Sequence, residues 1–166
     1  LKEILALAQA GGYAIPAFNV YNMETVIGCI TAAEDLHAPV ILQTYSRLFK
    51  EGSGYYLAPS VLAAAKKAKV PVCFHLDHGA SELETTRALR YGCTGVMIDA
   101  SAMDFDRNVE LTRKVVEAAN YVEVTVEGEL GHVGTVNDGC MDEFTEPVEA
   151  KCFVEATGVA ALAVLV

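Results

Sequence analysis

The sequence is short of positive charge. Twelve Lys and Arg stand against 22 Asp and Glu in 166 residues, a formal net charge of −10. The basic residues are scattered, which argues against nucleic acid or an anionic membrane surface as a partner. No apolar run approaches the roughly 20 residues a membrane helix needs, and no charged-then-apolar leader stands at the start. No GxGxxG follows the first expected strand and no GxxxxGK[ST] occurs, so nucleotide binding is disfavoured. The five cysteines, Cys29, Cys73, Cys93, Cys140 and Cys152, form no CxxC pair, and an odd number cannot all pair within one chain. Their mostly apolar or small neighbours read as reduced, mainly buried thiols of a cytoplasmic protein. What the chain does have is apolar content, 52% against 20% charged, far from the composition of a disordered chain. Its length suits one domain over residues 1–166 with a sizeable core. A βα unit takes roughly 30 residues and a closed eight-unit barrel about 250, so five or six units are expected here. The first residue is Leu and the last six are apolar, so both ends are expected to be cuts in a longer polypeptide.

Helix formers over residues 2–10 stop at Gly11-Gly12, and Tyr13 to Val20 reads as a strand. Asn22 caps a helix to about Leu36, with His37 at its end as a surface residue favourable to the helix terminus. Val40 to Thr44 is a strand apolar almost throughout, as one covered on both faces should be. A loop over Glu51 to Gly54 leads to a helix over about Tyr55 to Lys69, then a strand over Val70 to Leu76. Ser81 and Glu84 form a capping box for a helix to about Tyr91. A strand over Gly95 to Ile98, a helix over Phe105 to Asn120 capped by Asp104, and a strand over Val122 to Glu129 follow. Beyond a polar loop over Gly131 to Phe144, Thr145 caps a helix to about Thr157, and Ala161 opens a sixth strand. This alternation means a parallel sheet of right-handed βα units. Periodicity alone leaves a doubly wound sheet and a (β/α)8 barrel equally open.

In parallel α/β folds reactive residues gather at the C-terminal ends of strands. Four such ends carry unusual polar residues: Asn19 after strand one, His75-Leu76-Asp77-His78-Gly79 after strand three, Asp99 and Ser101 after strand four, and Glu127-Gly128-Glu129 after strand five. Three titratable side chains in four residues are costly to bury without a purpose. His75 and Asp77 share a strand face, and His78 falls at the turn into the loop. A neutral imidazole there can bind Zn²⁺ while the neighbouring carboxylate orients a ligand or moves a proton. A hydrogen-bonded polar turn is the plainer reading of the same residues. Glu127 and Glu129 point to one side and suit a metal position or acid–base work, although exposed strand-end carboxylates are common. His132 lies in the following loop, either facing a substrate or solvated.

Four segments stand in order with fitting separations: Tyr-Ala-Ile-Pro-Ala-Phe-Asn-Val (13–20), His-Leu-Asp-His-Gly (75–79), Val-Met-Ile-Asp-Ala-Ser (96–101) and Val-Glu-Gly-Glu-Leu-Gly-His-Val-Gly (126–134). Together they resemble the class II, zinc-dependent ketose-bisphosphate aldolases, with tagatose-bisphosphate and related sugar-phosphate aldolases as the nearer relatives. The resemblance implies an α/β fold, a (β/α)8 TIM barrel of which this chain holds the N-terminal five to six units. It implies a lyase of carbohydrate metabolism and glycolysis, cleaving a ketose 1,6-bisphosphate of the tagatose or fructose type to dihydroxyacetone phosphate and an aldehyde phosphate. It implies one catalytic Zn²⁺, a monovalent cation as an accessory, and a homodimer or homotetramer. By the same resemblance Asp77 is the proton-transferring carboxylate, His78 a zinc ligand, and Asp99 and Glu129 carboxylates at the metal or an accessory metal position. Asn19 is a substrate contact.

The match departs from the family in three places. Gln43-Thr44-Tyr45-Ser46-Arg47 replaces a Ser- and Gly-bearing stretch, leaving Ser46 as the substrate-contact candidate. Asn137 stands where a mobile-loop Glu is often found, with Asp138, Asp142 or Glu143 as substitutes. The family's other two zinc histidines and main phosphate-binding segments come after strand six. The isolated chain is therefore expected to be nearly inactive. A non-catalytic aldolase-like stabilising subunit and another metal-using barrel enzyme, such as an epimerase, are the alternatives.

Overall fold

The computed structural model describes residues 1–131 and 144–166. Six parallel strands, β1 (Ala17–Asn19), β2 (Val40–Tyr45), β3 (Val72–Gly79), β4 (Gly95–Ile98), β5 (Thr125–Leu130) and β6 (Ala161–Val164), lie side by side in chain order. Each follows the last through helix: α1 (Lys2–Gly11) precedes β1, then α2 (Met23–Asp35), α3 (Ser46–Glu51) with α4 (Gly54–Lys67), α5 (Glu82–Arg90), α6 (Phe105–Asn120) and α7 (Pro147–Thr157). This is a partial TIM barrel, half of a closed ring, with β1 and β6 at its edges.

Strand side chains alternate between two faces. Even-numbered positions of β2 to β4 (Val40, Leu42, Phe74, Leu76, Val96, Ile98) point outward. They form the main core with helix residues such as Val26, Phe49, Val61, Ala88, Val115 and Phe153. Burying a side chain of the size of Leu42 or Phe74 contributes about 1.5–3 kcal/mol. Odd-numbered positions face the interior. At the N-terminal end of the bore Ile41 and Cys73 are covered by Ile4 of α1. At the other end the interior turns polar.

Helix starts follow the sequence signals where these are local. Asn22 accepts from Thr25 N at 2.9 Å, and Thr25 Oγ1 accepts in return from Asn22 N, a full capping box. Asp104 accepts from Arg107 N at 3.0 Å to start α6. Ser81 caps α5, but Glu84 reaches back to Ala80 N at 2.9 Å instead of to the cap residue, so the expected box is displaced by one residue. Thr145 does not cap α7, whose N-cap is Glu146. Its hydroxyl donates to Leu130 O and accepts from Leu165 N, tying the ends of β5 and β6 together. His37, exposed after α2, takes a left-handed backbone, and its N–H donates to Glu34 O at 3.1 Å. Of the cysteines, Cys73 and Cys93 are buried and Cys29 half-buried, whereas Cys152 is exposed on α7 and Cys140 falls outside the described residues.

Candidate active site

The C-terminal ends of β1 to β5 converge on one cluster of side chains. Asp77 is buried at the centre, and both of its carboxylate oxygens are held: Asn19 Nδ2 donates to Oδ2 at 2.9 Å and Gln43 Nε2 to Oδ1 at 3.1 Å. The register explains this convergence. Asn19 pairs with Gln43 and Gln43 with His75, so Asp77 stands one pleat above two amide side chains on the same inner face.

His78 should point outward by strict alternation. It does not, because its backbone is left-handed (φ 48) and the β3–β4 register shifts between Leu76 and Gly79. A residue of this kind at positive φ costs backbone energy, of order 1–3 kcal/mol. The gain is a second inward side chain beside Asp77. The expected turn into the loop is thus a bulge inside β3. Gly79 completes it: a Cβ there would lie 2.6 Å from Met97 O, which no side chain tolerates.

His78 Nδ1 lies 2.8 Å from Asp99 Oδ2 and 3.4 Å from Glu129 Oε2, and Nε2 lies 3.9 Å from Asp77 Oδ1. The hydrogen bond with Asp99 and the surrounding carboxylates raise the imidazole pKa to about 9, against the opposing effect of partial burial. Burial alone would raise the Asp99 carboxyl, yet hydrogen bonds from His78 and Ser101 pull it below its ordinary value. Ser101 fixes Asp99 Oδ1 through its hydroxyl at 2.7 Å and its N–H at 3.1 Å. Behind Glu129, the buried Asn108 of α6 donates to the Glu129 carbonyl at 2.9 Å and accepts from Thr112 at 3.1 Å. Deeper in the bore, burial drives His75 down to about 3 and Glu127 up to about 7, both toward their neutral forms.

One ligand atom each from His78, Asp99 and Glu129 lies within 4.8 Å of the others. One imidazole nitrogen and two carboxylate oxygens are donors that suit zinc or another divalent ion. His78 and Glu129 border a cavity of about 200 Å³ that is also lined by Gln43, Asp77, Met97 and Glu127. A larger recess of about 360 Å³ at the opposite end of the strands gathers Lys2, Glu3 and Glu123 but no histidine.

The residues singled out in the sequence therefore divide. Asn19, Asp77, His78, Asp99, Glu127 and Glu129 come together. Ser46 is buried as the first residue of α3, directly after Tyr45, which pairs with Asp77, and is not among the residues lining that cavity. His132, Asn137, Asp138, Asp142 and Glu143 lie outside the described residues. Gln43 and Asn108 join the site without having been singled out by a motif. The signal for Gln43 was an inward-facing amide in an otherwise apolar strand. Asn108 had none beyond being polar on a helix face.

A parallel half-barrel with an acid–histidine cluster at its mouth defines a class of metal-assisted α/β barrel proteins. Within it, the family model described as "Fructose-bisphosphate aldolase class-II" matches residues 1–166, and the chain belongs to that family. It is 46% identical to a fructose-bisphosphate aldolase of Thermus caldophilus, over 99% of this chain and 55% of the relative. It is 41% identical to a fructose-bisphosphate aldolase of Giardia intestinalis, over 100% of this chain and 52% of the relative. The crystal structure of the YdjI aldolase from Escherichia coli K12 superposes with a TM-score of 0.89 at 37% identity, covering 98% of this chain and 60% of that one. The chain spans about half the length of the curated relatives it matches.

Proposed function

We propose that the protein is a zinc-dependent class II aldolase that cleaves a ketose 1,6-bisphosphate of the fructose or tagatose type to dihydroxyacetone phosphate and an aldehyde phosphate. The observation that carries this reading is Asp77, buried and gripped through both oxygens by Asn19 and Gln43, beside the His78, Asp99 and Glu129 donor set. His78 is the proposed zinc ligand from this part of the fold, with Asp99 and Glu129 as carboxylates of the same or an accessory metal position. Bound there, zinc supplies Lewis acidity toward a ketose carbonyl. Asp77 takes the proton from the C4 hydroxyl oxygen as the C3–C4 bond breaks and returns it in condensation. Asn19 and Gln43 hold that carboxylate in one orientation, so little reorganisation is needed when the proton moves. Asn19, exposed at the end of β1, also serves as a substrate contact. Ser46 is the second proposed contact, and a monovalent cation the accessory ion.

Family membership and the donor set support this reading. A cytoplasmic homodimer or homotetramer is proposed with it. Among the described residues no helix is long and apolar enough to cross a membrane. The test is an assay of the intact protein for aldehyde release from fructose and tagatose bisphosphates, with zinc and after chelation. Turnover lost on chelation and restored by zinc is expected. Cleavage of neither sugar phosphate by the zinc-loaded protein would sink the proposal.

A further inference from the structure

We propose that His75 and Glu127 act as a positioning brace across the bore, one pleat below the site, and that this brace fixes where Asp77 and Glu129 stand. The inference rests on the metal-site reading above. His75 is 1% exposed, with Nε2 3.3 Å from Glu127 Oε2. The two residues belong to β3 and β5, with β4 between them. The imidazole crosses β4 over Gly95, where a Cβ would lie 2.7 Å from His75 Cδ2. Glycine at that position is what lets the ring reach the far strand.

The placement is costly for a purely structural role. An imidazole and a carboxylate taken out of water lose solvation that an apolar pair would not. Neither His75 nitrogen has a hydrogen-bond partner among the described residues, and both side chains border a cavity of about 260 Å³ together with Gln43. The β3–β4 and β4–β5 ladders already join these strands, and Leu at position 75 would fill the bore without the polar cost.

Each member sits two residues before a site residue on the same inner face: His75 before Asp77, Glu127 before Glu129. The residue between Glu127 and Glu129 is Gly128, paired with Leu162 and packed so closely that a Cβ there would lie 2.8 Å from Phe153. Glu127 and Glu129 are thus joined through one closely packed residue, and a contact that places the Glu127 side chain also places Glu129.

The test uses the intact protein and the His75→Leu variant. Zinc affinity is measured by chelator competition, the Co²⁺-substituted visible spectrum is recorded, and kcat and KM are determined. His75→Leu should weaken zinc binding about 10- to 100-fold, the range for outer partners of a metal site. It should alter the Co²⁺ spectrum and lower kcat, with KM within about twofold. His75→Gln, which keeps a polar group within reach of Glu127, should recover most of the affinity. In the double variant His75→Leu/Glu127→Leu an apolar pair replaces the polar one, so Tm should recover while zinc affinity stays low. Unchanged affinity and spectrum in His75→Leu, no rescue by His75→Gln, or affinity that returns with Tm in the double variant would each overturn the brace. If His75→Leu does not fold, Gly95→Ala crowds the ring and should show the same loss of affinity, and wild-type affinity there overturns the proposal. A wild-type protein that binds no metal or cleaves no sugar phosphate fails the underlying reading. An active wild type with indifferent variants fails the brace alone.

Discussion

Asp77 receives an amide on each oxygen, and the two amides come from different strands. Its orientation is therefore set by β1 and β2 as much as by its own backbone. Asp77→Asn keeps the volume but presents an amide group where two amide donors already point. One donor must then face another, and the proton acceptor is gone. Loss of a positioned acid–base group costs about 10²- to 10⁴-fold in rate, so kcat of Asp77→Asn should fall by that range while bound metal per protomer stays at the wild-type value. A parallel loss of metal would show that Asp77 is acting through the ion's site and not at the substrate. Gln43→Leu removes one of the two donors and nothing else polar. Hydrogen bonds to charged groups are worth about 1.5–3 kcal/mol, so a 10- to 100-fold fall in kcat is expected. Wild-type kcat in Gln43→Leu would leave Asn19 as sufficient.

At the scale of the element, β3 carries the function. The apolar pattern predicts that it ends at Leu76. The strand in fact runs on to Gly79, and the pattern stops because the inner face has become the site. The helix α3 leaves no trace in the sequence for another reason: six residues with no side-chain cap carry no detectable period. By contrast β4 and α6 were legible to the residue. Gly95 to Ile98 is a continuous buried run, and Asp104 is an unambiguous cap. The four strand-end motifs were visible as polar residues interrupting apolar strands. Their convergence was not, since it depends on register, on the bulge at His78 and on the space that Gly79 and Gly95 vacate. Gly79→Ala tests the bulge. Its Cβ would press on a backbone carbonyl that cannot move aside, and such overpacking costs about 1–3 kcal/mol. A lower denaturant midpoint with unchanged m should be seen, together with weaker metal binding as His78 shifts. A Gly79→Ala protein as stable as wild type would mean that β3 and β4 can slide to absorb the extra carbon.

On the scale of the whole molecule, an acidic protein with a formal charge of −10 gathers Asp77, Asp99 and Glu129 around the His78 imidazole. This sets how stability and metal binding depend on pH. In the metal-free fold the His78 pKa is raised to about 9 from 6.5, so its stabilising contribution is whole below 6.5 and is lost as pH rises through 9. Glu127, raised to about 7 from 4.5, acts in the same direction: the fold holds its proton more tightly, and stability falls as pH climbs from 4.5 through 7. His78 is 44% exposed, so solvent screening reduces its share. His75, lowered to about 3 from 6.5, acts the other way and offsets Glu127 up to about pH 6.5, so the chelated protein should lose Tm chiefly between about pH 6.5 and pH 9. Metal binding runs the other way, because an ion must displace the His78 proton. Zinc affinity should rise about tenfold per pH unit until pH reaches about 9, and the gain in Tm on adding a fixed excess of zinc should widen as the affinity rises. Thermal unfolding of the intact protein with and without zinc, at pH 6.0, 7.0 and 8.0, measures both trends. A zinc-induced shift of equal size at all three pH values would mean that the ion binds without meeting the His78 proton, and that His78 is no ligand.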